Sequence, residues 1–216
     1  SIIVIVLMVL SLFIAIVSIS SLPDFIPIHF GINGEPDDFG SKYFALIFPC
    51  FNVLIGTTMI LVAKYCNVSE NYKKYLLIVG MLLVTLLTIL NVAFIEYIKS
   101  YSLNNEVFEI SKVLMPALGL MFIIMGNFMP KIQKNRTLGF RTSWSMYNEV
   151  TWQKTHRFVG FSMVISGLLI FILGFFFNET VNYIIFMSIL FIVMGLGIAI
   201  SYKYYKEEKS KEANLE

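Results

Sequence analysis

The chain has 216 residues, of which 57% are hydrophobic and only 14% are charged, and its mean hydropathy is +0.78. Soluble domains are about half apolar and about a quarter charged, so this composition excludes an ordinary soluble protein. The formal net charge is +2. Because anionic lipid headgroups account for the cations of a membrane protein, we expect no direct binding to nucleic acid.

The apolar residues are gathered into six long runs. A helix that crosses a bilayer needs about 20 predominantly apolar residues. In chain order, the predicted spans are residues 2–20, 43–63, 75–98, 113–129, 158–177 and 181–202. They occupy well over half of the chain, so no soluble domain remains. The sequence therefore predicts an all-α polytopic integral membrane protein with six transmembrane helices and an ordered external loop between spans 1 and 2.

The basic residues indicate the orientation of the chain in the membrane. If both termini are cytoplasmic, 13 of the 16 Lys and Arg residues fall in the inner segments 64–74, 131–157 and 203–216. Such a bias in short loops is the positive-inside signal, so we predict a multi-pass protein with both termini cytoplasmic. The chain then divides into a two-span region with its external loop (1–63), the third span with its flanking loops (64–112), a region with the basic cytoplasmic loop 130–157 (113–202), and a cytoplasmic tail (203–216).

The external loop contains three Pro and three Gly in about twenty residues, which excludes a continuous helix. Alternation from Phe25 to Phe30, followed by Asn33-Gly34, predicts a short extended segment and a tight turn. The loop is acidic, and it is either an ordered turn with a solvated anionic rim or a docking surface for a cationic extracellular partner. Its candidate outward-facing residues are Asp24, Pro27, His29, Asn33, Gly34, Glu35, Pro36, Asp37 and Asp38.

We predict no metal site and no cofactor. The oxygen donors at residues 33–38 lack the alternating ligands and the closing Glu of an EF-hand loop. His29 and His156 fall on opposite sides of the membrane, so they cannot share one ion. The chain also has no HExxH motif, no phosphate-binding glycine loop, and no Ser or Cys nucleophile with a nearby base. We therefore expect no catalytic residues and no enzyme.

The longest polar connection carries two short motifs, N-R-T-L-G-F-R-T-S-W at residues 135–144 and W-Q-K-T-H-R at residues 152–157. Asn148 is a good N-cap and Glu149 is favourable in a first turn, so we predict a helix that starts there. Such a helix places Trp152, His156 and Gly160 on one side. Gly160, Gly167 and Gly174 are spaced by seven residues and predict a packing seam, with Gly195 and Gly197 of span 6 as its counterparts.

The basic connection allows two interpretations. It is either an interfacial re-entrant segment anchored to membrane lipids by Trp and Arg, or a polar cluster of Arg136, Arg141 and His156 that holds a carboxylate, a phosphate or an acidic partner surface. Arginine suits the second role because its donors form a fixed fork. The candidate partner-binding residues are Asn135, Arg136, Gly139, Arg141, Trp144, Trp152, His156 and Arg157.

The pattern N-R-T-L-G-F-R-T-x-W, followed by W-x-x-T-H-R, resembles the SdpI family of bacterial membrane immunity proteins. The external stretch L-P-x-x-I-P-I-H-F-x-x-x-G-E-P-D resembles the small domain of unknown function that is common at the N-terminus of that family. Ser143 is a departure, because relatives usually have Pro after R-T. The region 113–202 is the part that the SdpI resemblance covers.

The resemblance implies a protein of the bacterial cytoplasmic membrane that gives immunity to a secreted antimicrobial peptide of the sporulation-delaying type by binding it. The implied partners are this peptide toxin on the extracellular side and, in some family members, a cytoplasmic repressor that is recruited to the membrane. Two alternatives remain open at this point. One is a small peptide or lipid transporter with an aqueous cavity lined by Asn52, Asn91 and Asn127; the other is a membrane anchor for a transcriptional regulator.

Overall fold

The computed structural model describes residues 2–30, 36–102 and 108–214. Within these ranges six helices are long and apolar enough to cross a membrane. They are α1 (Ile2–Ile19), α2 (Ile47–Tyr65), α3 (Glu70–Ser102), α4 (Ser111–Phe128), α5 (Glu149–Leu173) and α6 (Glu179–Ala213). Short 3-10 turns precede α2 (Lys42–Leu46) and follow α4 (Met129–Lys131). The predicted class of six transmembrane helices is confirmed.

Two helices are much longer than their predicted spans. α3 has 33 residues and α6 has 35 residues. At about 1.5 Å per residue α6 is roughly 50 Å long, whereas the hydrocarbon core of a bilayer is about 30 Å thick. The charged last turns of α6 therefore extend beyond the membrane as a continuation of the helix.

The helices pack as two groups of three, α1–α3 and α4–α6, which are joined by contacts between α3 and α4. In the first group, Asn52 donates from Nδ2 to Thr88 Oγ1 at 2.9 Å, and Asn91 donates from Nδ2 to the Ser11 carbonyl oxygen at 2.9 Å. Such bonds between helices contribute about 0.6–2 kcal/mol each in a bilayer.

These asparagines bear on the transporter alternative. Asn52 and Asn91 have no exposed surface, whereas Asn127 is exposed. Because the first two are sealed inside the helix group and bonded across it, they do not line an aqueous cavity with Asn127. The three asparagines therefore do not form the aqueous cavity that would favour a transporter.

The second group is held by a glycine seam. A Cβ atom on Gly160 would lie 2.6 Å from the Gly126 carbonyl oxygen, and one on Gly167 would lie 2.6 Å from the Gly119 carbonyl oxygen. Only glycine allows two backbones to approach this closely. The predicted seam is confirmed, but its partner helix is α4 and not α6. Gly195 has no atom within 4 Å of its Cβ position, and a Cβ atom on Gly197 would meet the Phe140 ring and not α5.

Between α1 and α2 the chain forms an antiparallel hairpin of β1 (Phe25–Phe30) and β2 (Pro36–Ser41). The predicted extended segment is present as β1, while the predicted turn at Asn33-Gly34 lies outside the described residues. Ile26 is completely buried and packs in a cluster with Leu22, Ala45, Phe94 and Ile98. The hairpin is thus fixed on the ends of α2 and α3. We call this end of the bundle the hairpin end and the opposite end, where α4 connects to α5, the loop end.

Candidate functional sites at the two ends of the bundle

The described carboxylates at the hairpin, Asp24, Asp37 and Asp38, are exposed, and two of them bond a basic side chain. Asp24 accepts from Lys42 Nζ at 2.9 Å, and Asp37 is 2.5 Å from His29 Nδ1. The Asp37 carboxylate holds the pKa of His29 above its usual value, because the hydrogen bond favours the protonated imidazole. Asp38 accepts only from the Phe39 backbone N–H, at 2.8 Å, and has no salt bridge among the described residues.

The remaining predicted residues of the external loop differ in their surroundings. Pro36 is half-buried. Pro27 is buried, so it supports the hairpin and offers no surface to a partner, which corrects its place among the outward-facing residues. Asn33, Gly34 and Glu35 lie outside the described residues. No group of three or more His, Cys, Asp or Glu that could hold a metal ion occurs in the described ranges.

A cavity of about 330 Å³ lies at the hairpin end, between β1, α2 and α3. Its wall is apolar and includes the side chains of Ile28, Phe44, Phe48, Phe51, Leu90 and Phe94. Nothing in the sequence indicated it, because its wall combines residues 28, 44–51, 90–94 and 110, which only the fold brings together.

At the loop end, residues 132–148 connect α4 to α5; we call them the motif loop. Asn71, at the start of α3, forms hydrogen bonds on either side of Ile132, the first residue of the motif loop. Its Nδ2 donates to the Lys131 carbonyl oxygen at 3.1 Å, and its Oδ1 accepts from the Gln133 N–H at 3.1 Å. The Thr137 hydroxyl bonds the Tyr72 hydroxyl at 2.8 Å. The first helix group therefore positions the motif loop.

Asn135 shapes the motif loop from within. Its Oδ1 accepts from the N–H groups of Thr137 at 2.8 Å and Leu138 at 2.7 Å, and its Nδ2 donates to the carbonyl oxygens of Gln133 at 2.9 Å and Leu138 at 3.1 Å. These bonds satisfy local backbone groups that have no helix or strand partner. Asn135 is therefore a structural residue of the loop.

Trp152 and His156 form the buried base of the motif loop. Trp152 donates from Nε1 to the Ile132 carbonyl oxygen at 2.7 Å, and the two rings stack with centroids 3.8 Å apart. The Nδ1 atom of His156 is 2.9 Å from the Trp152 carbonyl oxygen, and its Nε2 atom is 3.0 Å from the Phe140 backbone nitrogen. A carbonyl only accepts and a backbone N–H only donates, so Nδ1 carries the proton, Nε2 carries none and the ring is neutral.

Both ring nitrogens of His156 are used by the backbone, and its side chain has no exposed surface. This corrects the expectation that His156 joins Arg136 and Arg141 in a polar cluster. Trp152 has no exposed surface either, so it is a core residue and not an interfacial anchor. Gly139 lies against this base with a φ of 108°, and a Cβ atom there would be 2.3 Å from His156 Nε2.

The predicted start of α5 is confirmed. Asn148 is its N-cap and accepts from the Thr151 N–H at 2.8 Å, while the Thr151 hydroxyl accepts from the Asn148 N–H at 3.1 Å. This reciprocal capping box fixes the direction in which the motif loop enters the helix.

The other side of the motif loop is attached to α6. Phe140 packs where Gly197 leaves space, since a Cβ atom on Gly197 would lie 2.7 Å from the ring. Thr142 Oγ1 donates to Ser201 Oγ at 2.9 Å, and the half-buried Trp144 packs edge-on against Tyr202 with centroids 5.0 Å apart. No sequence pattern pointed to Ser201 or Asn71, because they contact the loop from distant segments.

Three arginines of the two motifs, Arg136, Arg141 and Arg157, are exposed. Within the described residues no carboxylate forms a salt bridge with them. The predicted partner-binding set therefore has two parts and Trp144, which packs on α6. Asn135, Gly139, Trp152 and His156 build the loop, and the three guanidinium groups have no salt-bridge partner in the part of the chain that the structure describes.

The six spans and the motif loop define a multi-pass α-helical membrane protein. Residues 131–203 match the SdpI/YfhL protein family, and residues 6–53 match a domain of unknown function (DUF1648). The chain is 29% identical over 210 residues to the Immunity protein SdpI of Bacillus subtilis (strain 168), covering 96% of each chain. The chain is therefore similar to the SdpI/YfhL family along residues 131–203 and to an immunity protein along nearly its whole length. No solved structure matches it.

Proposed function

We propose that this protein gives immunity to a secreted antimicrobial peptide of the sporulation-delaying type, by binding the peptide at the cytoplasmic membrane. The observation that carries the proposal is the similarity to an immunity protein along 96% of both chains, which includes both ends of the bundle. By the positive-inside rule the hairpin end faces outward and the loop end faces the cytoplasm.

The charge of the hairpin end supports a cationic or amphipathic ligand. Residues 20–42, 96–112 and 178–180 together contain eight Asp and Glu but only three Lys. The hairpin itself is held by the buried Ile26, so its carboxylates are displayed on a fixed support. A fixed field of one sign attracts a ligand of the opposite sign and accelerates its encounter.

The test replaces the Immunity protein SdpI of Bacillus subtilis with this chain and challenges the cells with the killing peptide that the parent strain secretes. We expect the unchanged chain to protect the cells. Cells with the combined variant Asp24→Asn, Glu35→Gln, Asp37→Asn and Asp38→Asn should tolerate a peptide concentration about tenfold lower. This difference corresponds to ~1.4 kcal/mol of binding free energy. Membrane levels of both proteins are measured by immunoblot.

The matched control removes four charges from the loop end instead, through Glu70→Gln, Glu149→Gln, Glu207→Gln and Glu216→Gln. It should protect as the unchanged protein does. Absence of protection by the unchanged chain contradicts the immunity proposal, and equal protection by the two four-residue variants contradicts the role of the hairpin charges.

We propose further that the loop end receives an acidic cytoplasmic partner, such as a repressor that is recruited to the membrane. The observation that favours it is that Arg136, Arg141 and Arg157 are exposed and unpaired in the described chain, although the motif loop around them is fixed by bonds to α3, α5 and α6. A guanidinium on a fixed support loses little freedom when it binds a carboxylate in the two-pronged manner.

Substitutions of Arg141 distinguish binding to a protein partner from binding to lipid headgroups. We expect Arg141→Ala and Arg141→Lys both to reduce recruitment of a fluorescent fusion of the cytoplasmic repressor to the membrane, since truncating a desolvated charge pair costs about 2–5 kcal/mol and Lys lacks the fork. The measurement is the membrane-bound fraction of the fusion at matched expression, with Lys134→Ala as the control for loss of one charge. Normal recruitment by the Lys variant with loss in the Ala variant would reduce Arg141 to an electrostatic anchor.

A further inference from the structure

Another cavity lies at the loop end, where the turn between α2 and α3 faces the first half of the motif loop. Its volume is about 280 Å³. We call it the loop-end pocket, and its wall consists of Val68, Ser69, Tyr72, Asn135, Arg136 and Thr137. Five of these six side chains are polar and one of them is a guanidinium, so the wall suits a small polar ligand.

The loop-end pocket lies at the level of the lipid headgroups. Tyr72 precedes the apolar span that starts at Tyr75 by three residues, which is about 4.5 Å along a helix. The headgroup layer on each side of a bilayer is roughly 5–7 Å thick. On the other side of the turn, α2 ends at Tyr65, which is 71% exposed, as is typical of tyrosines at a membrane interface. The headgroups of the inner leaflet therefore surround the pocket.

Two hydroxyl groups of the pocket keep a proton for a ligand. Ser69 Oγ accepts from the Tyr72 N–H at 3.2 Å, and among the described residues its own O–H has no acceptor. Thr137 Oγ1 donates to the Tyr72 hydroxyl oxygen at 2.8 Å, which leaves the Tyr72 O–H free to donate. If Thr137 donated to Asn135 Oδ1 instead, the bond would be long, at 3.3 Å, to an oxygen that already accepts from two backbone N–H groups.

The charges around the loop-end pocket favour an anion. Residues 64–74 and 131–136 together contain six Lys and Arg but one carboxylate, Glu70, and this carboxylate is bonded to Lys73 at 2.8 Å. Arg136 forms no salt bridge within the ranges that the structure describes. A guanidinium binds two oxygens of a phosphate at once, and hydroxyl groups can donate to the others. The donors of the pocket therefore fit a phosphate group.

We propose that the loop-end pocket binds the phosphate of an anionic lipid of the inner leaflet. The Arg136 guanidinium and the hydroxyls of Ser69 and Tyr72 donate to the phosphate oxygens, and the apolar side chain of Val68 contacts the glycerol part of the lipid. Lipid is the occupant because the pocket lies within the headgroup layer, and anionic lipids are attracted to cations there. A zwitterionic lipid carries the same phosphate but gains less from these cations.

The bound lipid holds the first half of the motif loop at the membrane surface. The second half is attached to α6 through Thr142 and Trp144. Arg136 thus binds the membrane, whereas Arg141 and Arg157 remain available to the acidic cytoplasmic partner. The lipid site does not depend on the proposed immunity function, because it concerns how the loop is positioned and not what the protein recognises.

The first test counts bound lipids by native mass spectrometry of the detergent-solubilised protein, with phosphatidylglycerol or phosphatidylcholine added. We expect phosphatidylglycerol to be retained preferentially, and Arg136→Gln to lower its apparent affinity by about tenfold, since the two-pronged contact is lost. Lys134→Gln is the matched control, because it removes one charge from the same loop and does not line the pocket. It should lower the affinity about twofold or less.

A second variant changes the pocket and keeps the start of α3. Ser69→Asp retains the N-cap, because Asp caps helices as well as Ser, but its carboxylate pairs with Arg136 and repels a phosphate. We expect it to lose phosphatidylglycerol as Arg136→Gln does, with an unchanged size-exclusion profile. Unchanged lipid binding by either variant would overturn the proposal.

A competition experiment separates a lipid from the other possible ligands. Inorganic phosphate in large excess should not displace phosphatidylglycerol from the unchanged protein, because it lacks the glycerol contact. Displacement would show that a free phosphate occupies the pocket and would overturn the lipid assignment. If Arg136→Gln bound lipid normally but no longer recruited the cytoplasmic repressor, Arg136 would belong to the surface for the protein partner, and the lipid site would again be rejected.

Discussion

Replacing Gly167 with alanine should destabilise the protein. The new Cβ atom would lie 2.6 Å from the Gly119 carbonyl oxygen on the facing helix, so α4 and α5 would have to separate. Overpacking of this kind costs about 1–3 kcal/mol. The measurement is the midpoint of thermal aggregation of the detergent-solubilised protein, followed by size-exclusion chromatography.

Gly195 provides the matched control, because it also lies inside a membrane helix and has no atom within 4 Å of its Cβ position. Gly195→Ala should be neutral or stabilise the protein, since alanine is favoured over glycine within helices by about 0.5–1 kcal/mol. Equal losses in the two variants would mean that glycine acts through helix flexibility and not through close packing of α4 on α5.

The glycine seam also illustrates which features the sequence predicts. The seven-residue spacing of Gly160, Gly167 and Gly174 identifies one face of one helix, because the spacing is close to two helical turns. It does not identify the neighbouring helix, since every span is apolar and lipid is as apolar as a helix surface. Only the structure pairs Gly160 and Gly167 with Gly126 and Gly119 of α4.

The spans themselves were predictable because a bilayer imposes a length and an apolar composition on each helix. The start of α5 was predictable for a different reason: Asn148 provides a local cap that acts within one turn. The extension of α3 and α6 beyond the membrane was not predicted, because their polar ends no longer show the apolar signal. A single sequence thus predicts features that depend on neighbouring residues or on the thickness of the bilayer. It does not predict which helices pack against each other.

The sequence predicted which residues belong to the candidate site, but not which of them build the loop and which remain exposed. Arg141 and His156 both appear in the sequence as polar residues of one motif. The structure gives His156 two backbone partners and leaves Arg141 exposed. The difference depends on the Phe140 N–H, whose direction is set by the positive φ of Gly139, and neither composition nor spacing encodes that direction.

The largest effect at the loop end is expected from Gly139→Ala. Its φ of 108° is rarely adopted by residues with a Cβ atom, and that atom would lie 2.3 Å from His156 Nε2. Backbone strain of this kind costs about 1–3 kcal/mol, and loss of the buried bond from the Phe140 N–H to His156 costs a further ~1–3 kcal/mol. We expect a loosened motif loop, and therefore faster trypsin cleavage after Arg136 and Arg141, both of which are exposed.

Ser143→Ala is the control in the same loop, because Ser143 is exposed and its change adds no atom near the Trp152 and His156 rings. It should leave the cleavage rate unchanged. In Gly139→Ala the helix bundle should remain folded, because loosening of the motif loop relieves the strain without separating α4 from α5. If cleavage after Arg141 were as slow as in the unchanged protein, the bond between Phe140 and His156 would not be what fixes the loop. The arginines would then owe their position to the contacts with α6 alone.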